Sequence, residues 1–60
     1  MAGYRVYFLG RDNRIEAREE FEAEGDQEAV TKARLLFGYQ AHSSGFEVWR
    51  LDRRVHQEMR

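Results

Sequence analysis

The chain has 60 residues, no cysteine, no proline, 42% hydrophobic residues and a net charge of −1. That length admits one small domain, residues 1–60, and such a chain buries only about 60% of its unfolded surface. Without cysteine there are no disulfides or thiolate metal sites, and two histidines, His42 and His56, are too few for a histidine-based zinc centre. Self-association is the remaining way to supplement a small core.

Tyr4-Arg5-Val6-Tyr7-Phe8-Leu9 alternates as a strand, with Tyr4, Val6 and Phe8 on one side and Arg5, Tyr7 and Leu9 on the other. Gly10-Arg11-Asp12-Asn13-Arg14 breaks the pattern with turn-forming residues and predicts a hairpin loop of about five residues. Ile15 to Ala23 alternates again. Ile15, Ala17, Phe21 and Ala23 share one face, with Glu19 the exception, and Glu16, Arg18, Glu20 and Glu22 form a solvated face. Glu, Ala and Arg also favour a helix, but period 2 fits the apolar residues better than period 3.6.

Glu24-Gly25-Asp26 ends the second strand, and Asp26 is the expected N-cap of a helix. Ala29, Val30, Ala33, Leu36 and Phe37 recur at helical spacing, Gly38 is the expected stop, and the helix runs for about 12 residues. After a polar connector, Gly45 opens a third strand, Phe46 to Leu51. Asp52-Arg53 is the expected turn into a short fourth strand, Val55 to Glu58.

The fold class is therefore α+β with order β-β-α-β-β. The two most apolar strands, first and third, pair centrally. This predicts a four-stranded antiparallel sheet in order 2-1-3-4, with one helix on one face and charged strands at the edges. The expected core is Tyr4, Val6, Phe8, Ala17, Phe21, Phe46 and Val48 under Val30, Ala33, Leu36 and Phe37. The first and third strands are apolar on both faces, and one helix covers only one of them. Arg5, Tyr7, Leu9, Trp49 and Leu51 are left on the outer face as candidate interface residues.

Charge is unevenly spread. Residues 16 to 28 hold seven acids against one base, whereas residues 29 to 60 hold six bases against three acids. Nine of the ten bases are arginine, which favours planar and stacked contacts. The outer face is expected to join two copies of the chain, or the chain and an unidentified protein, because Trp, Tyr and Arg dominate interface energetics. The alternative is a single-stranded nucleic-acid platform, with bases stacked on Tyr7 and Trp49 and phosphates held by Arg5, Arg50, Arg53 and Arg54. The slightly negative net charge weighs against it.

No catalytic, cofactor or metal motif stands out. The acidic run lacks EF-hand spacing, and His42-Ser43-Ser44 has no third group to make a nucleophile. No signal peptide is expected from Met1 to Arg5. No apolar run approaches the roughly 18 residues of a membrane span. The expectation is a cytoplasmic, non-enzymatic protein.

Four segments together, Tyr4 to Leu9, Ala17-Arg18-Glu19-Glu20-Phe21, Asp26 to Phe37, and Gly45-Phe46-Glu47-Val48-Trp49, resemble a group of very short, uncharacterised bacterial proteins. The resemblance covers nearly the whole chain. It implies a stand-alone small protein, with no functional residues to carry over.

Overall fold

A computed structural model describes all 60 residues. Strand β1 spans Ala2–Leu9, β2 Ile15–Ala23, helix α1 Asp26–Phe37, β3 Gly45–Arg50 and β4 Arg53–Met59. The four strands form one antiparallel sheet in order β2-β1-β3-β4, with the helix on one face. The α+β, β-β-α-β-β layout read from the sequence is the layout of the structure.

The sheet and helix meet over a core of Tyr4, Val6, Phe8, Phe46 and Val48 under Ala29, Ala33 and Phe37, closed at one end by Ala23. Two alanines on the helix stripe let its backbone approach the sheet, and the aromatic rings fill the remaining space. Phe37 and Phe46 lie 5.0 Å apart between ring centroids, in the tilted geometry that aromatic pairs favour. Ala17, Phe21 and Leu36 pack around the margin. Val30, expected in the core, is only half-buried, because the buried stripe runs through Ala29, Ala33 and Phe37.

The first hairpin loop contains a single 3-10 turn, Arg11–Asn13, with Asp12 and Asn13 at φ of 60° and 59°. Asp and Asn adopt this left-handed region more readily than other side chains. Just beyond the loop, Glu16 is an extra residue on β2, since Phe8 pairs with Ala17 and Leu9 with Ile15. This bulge corrects the expected face of Ile15, which turns to the outer side, away from Ala17 and Phe21.

The helix start also differs from expectation. Gly25, with extended backbone, occupies the N-cap position, and Asp26 is the first helical residue. The Asp26 carboxylate accepts a hydrogen bond from the Tyr4 hydroxyl at 2.8 Å and pairs with Arg53 at 3.3 Å. Glu28 accepts from the Glu24 backbone N–H at 3.3 Å, just before the helix, and no side chain caps the helix start itself. Gly38 stops the helix as expected, with right-handed backbone.

The second hairpin turns on Leu51 and Asp52, because Arg50 pairs with Arg53. Strand β4 is longer than expected because the charges at its ends are matched across the fold: Arg53 by Asp26, Arg54 by Glu47, and Glu58 by Arg34. Val55 is a second bulge, as Trp49 pairs with Arg54 and Val48 with His56.

Candidate functional site

The face of the sheet opposite α1 carries no covering element. Alternation and register array its side chains in rows across the strands. One row runs Glu20, Arg5, Trp49, Arg54, and the next runs Arg18, Tyr7, Glu47, Gln57. Arg5, Tyr7, Glu47 and Trp49 are half-buried at the centre, while Arg18, Glu20, Arg54 and Gln57 are exposed at the sides. A shallow groove crosses the middle, bounded by Arg5, Tyr7, Ile15, Glu47, Trp49 and Leu51.

The polar atoms of this centre are satisfied within the chain. Trp49 Nε1 donates to Glu47 Oε1 at 3.0 Å, and Arg54 Nη1 donates to Glu47 Oε2 at 3.4 Å. Arg5 Nη1 donates to the Tyr7 hydroxyl at 3.0 Å, and its guanidinium carbon lies 5.7 Å from the Tyr7 ring centroid. Arg5 Nη2 also donates to the Leu51 carbonyl oxygen. The centre of the face therefore presents ring faces and alkyl stems with few unpaired donors or acceptors, so covering it carries a low desolvation cost.

Four of the five candidate interface residues, Arg5, Tyr7, Trp49 and Leu51, border this groove. Leu9 points to the same side by register but is only 2% exposed, so it offers no contact surface. Leu51 lies in the hairpin turn rather than on the strand. It is 77% exposed, with φ of 55°, and the guanidinium of Arg5 holds its carbonyl. Ile15 and Met59, 60% and 48% exposed, were missed by the sequence reading. The Glu16 bulge directs Ile15 outward, and Met59 opposes Gly45 on a strand longer than expected.

The structure divides the arginines of the nucleic-acid alternative. Arg50 lies on the helix side, 6.0 Å from the Tyr4 ring centroid, and Arg53 reaches Asp26 on that side. Arg5 and Arg54 share a face with Tyr7 and Trp49, and Arg5 is already committed to the Tyr7 hydroxyl and the Leu51 carbonyl.

The strongest electrostatics also lie on the helix side. The Arg34 guanidinium, then His56, hold the Glu58 carboxyl down from 4.5 to about 2. The Tyr4 hydroxyl bond lowers Asp26, and the same bond raises Tyr4. These pairs tie β1, α1 and β4 together. His42 is exposed while Ser43 is buried, its carbonyl accepting from Arg60 Nε at 3.2 Å, and no third group orients either side chain. No three His, Asp or Glu side chains converge on a metal-sized space.

A second apolar groove lies between α1 and the β2 edge, lined by Phe21, Leu35, Leu36 and Tyr39. No helix is long and apolar enough to cross a membrane. Compared with family models, curated proteins and solved structures, the chain has no match.

Proposed function

We propose that this chain is a small, non-enzymatic interaction protein that associates with a second copy of itself through the uncovered sheet face. The observation that carries the reading is the placement of Tyr7 and Trp49 along one groove at the centre of that face, each hydrogen-bonded inside the chain, with exposed Ile15 and Leu51 at its margins. Aromatic anchors ringed by polar side chains are the anatomy of an interface centre. A second copy is the simplest partner, since twofold pairing is the commonest assembly. A larger heterologous protein would use the same surface. The cysteine-free composition and the resemblance to short bacterial proteins support a bacterial cytoplasmic setting.

Single-stranded nucleic acid is the weaker reading, because Arg50 and Arg53 are turned to the other side and the net charge is −1. Sedimentation at tens of micromolar tests the dimer. The expected mass is twice the 7.2 kDa of one chain, shifting to monomer in Trp49→Ala with secondary structure retained. A wild-type monomer refutes the proposal. So does a dimer that survives Trp49→Ala and dissociates in Leu35→Asp, which would put the contact on the helix-edge groove. Salt-sensitive quenching of Trp49 by oligonucleotides would instead favour the nucleic-acid reading.

A further inference from the structure

We infer that the two copies pack face to face about a twofold axis running along the strands between β1 and β3, so that β2 of each copy lies over β4 of the other. This rests on the dimer proposed above and specifies its geometry. The sheet itself supplies the reason. Rotation about such an axis keeps every row in place and reverses the order of strands within it. In the row Glu20-Arg5-Trp49-Arg54, Glu20 then meets Arg54 of the other copy and Arg5 meets Trp49. Both contacts are attractive, one an ion pair and one a cation over an indole face.

The row Arg18-Tyr7-Glu47-Gln57 is neutral, setting Tyr7 over Glu47 and Arg18 over Gln57, and the two end rows agree. Ile15 on β2 and Met59 on β4 occupy opposite ends of one row, and this axis brings the two exposed apolar side chains together. At the other end, Gly3 of one copy lies under Leu51 of the other. A side chain at Gly3 would meet nothing within 4 Å, so the outer surface is hollow there, and Leu51 is a projecting apolar knob.

The competing twofold axis, perpendicular to the strands, places β2 on β2. It pairs Arg18 with Glu20 but sets apolar Ile15 against Glu22 and leaves Leu51 and Met59 without apolar partners. Aligned sheets sit about 10 Å apart and cross at about 30°, offsets that the long side chains at the corners span. The molecule measures 31 by 21 Å in its two larger dimensions. A full face-to-face pair therefore covers on the order of 1,200 Å², the low end for a stable dimer.

Charge reversal tests the axis. Glu20→Arg and Arg54→Glu, made separately, each place like charges at both symmetry-related contacts, and each is expected to raise the dimer Kd about tenfold at low salt. The two variants mixed in equal amounts are expected to form a heterodimer of near wild-type affinity, since every 20–54 contact is then opposite in charge. Within one chain these residues are three strands apart, about 14 Å, so recovery on mixing reports a contact between copies. Arg18→Glu is expected to change the Kd by less than about threefold. Circular dichroism of each exposed-site variant separates unfolding from dissociation. A wild-type monomer overturns both the dimer and its axis. A dimer abolished by Trp49→Ala but unaffected by either reversal overturns the axis alone, as does recovery in an Arg18→Glu, Glu20→Arg double variant.

Discussion

Leu51→Gly separates what the hairpin turn does for one chain from what it does between chains. Leu51 is a bulky residue at φ of 55°, a conformation costing an L side chain about 1–2 kcal/mol. Glycine removes that strain but adds roughly 0.5–1 kcal/mol of chain entropy on folding. The side chain is 77% exposed, so its removal forfeits only about 0.5 kcal/mol of burial within the chain. These contributions nearly cancel, and folding stability is expected to change by less than about 0.5 kcal/mol. The bond from Arg5 persists, since it reaches the backbone carbonyl. Leu51→Ala keeps the strain and is expected to be less stable than the glycine variant by roughly 0.5–1 kcal/mol. Association behaves differently. Covering the exposed part of Leu51 in both copies contributes about 3 kcal/mol, so both variants are expected to raise the dimer Kd by about 100-fold. Urea titration followed by Trp49 fluorescence, at concentrations too low for dimer, gives the stability; sedimentation equilibrium gives the Kd. A glycine variant less stable than the alanine variant by about 0.5–1 kcal/mol would show that the turn is unstrained. An unchanged Kd with intact folding would remove Leu51 from the contact.

Other expectations concern the fold that presents the face. Glu58 is ionised in the folded chain down to a pH of about 2 and has an ordinary value of 4.5, so its contribution is complete above 4.5 and lost as pH falls toward 2. Acid titration of Glu58→Gln should lack that part of the stability loss; an identical acid limb would mean that the Arg34 pair is inert. Gly45→Ala places a Cβ 2.5 Å from the Glu58 carbonyl oxygen, a backbone atom that cannot swing aside, and is expected to cost about 1–3 kcal/mol. Gly3→Ala, with nothing within 4 Å and no positive φ, should raise urea stability by about 0.4–1 kcal/mol yet weaken the dimer, because it fills the hollow under Leu51. Phe46→Ala empties a fully buried site between Phe37 and the sheet and should cost about 3–5 kcal/mol. That approaches the whole stability of a chain this size, and loss of the thermal transition by circular dichroism is the expected readout.

The sheet order, the helix and most of the core were legible because they follow from periodicity. Tyr4, Val6 and Phe8 alternate, Ala29, Ala33 and Phe37 recur every fourth residue, and the two most apolar strands seek the centre. The misplacements share a different cause. Both bulges, at Glu16 and Val55, shift the pattern by one residue without any glycine or proline to mark them, and the first turned Ile15 to the outer face. The Leu51 turn was read as strand because leucine carries no turn signal and its conformation is held from outside, by Arg5. Asp26 was read as an N-cap because local rules favour it there. Its actual partners, Tyr4 and Arg53, are 22 and 27 positions away. The candidate face was thus visible as an excess of apolar residues, whereas its rim depends on long-range pairing.

Why the face and not an edge should carry association follows from the edge strands themselves. Strand β2 is nine residues long with one free side, a length that invites pairing with another chain. Antiparallel pairing of two β2 strands centred on Glu19 sets Glu19 against its own copy and Glu16 against Glu22, opposing like charges at three points against two Arg18–Glu20 attractions. Glu19 also points to the helix side of the sheet, opposite Val6 in register, yet lies exposed beyond the helix. An inward charge there would be stranded if a further strand and its own cover were added. Strand β4 has a more complementary edge, since self-pairing about His56 would place Arg54 against Glu58. But Glu58 is already held by Arg34, and the Val55 bulge twists the ladder where pairing would start. Both edges are therefore guarded by charge, prior pairing or distortion. The outer face has none of these obstacles: its central polar groups are satisfied within the chain, its apolar groups are exposed at the corners, and its opposite charges lie where a twofold partner brings them together.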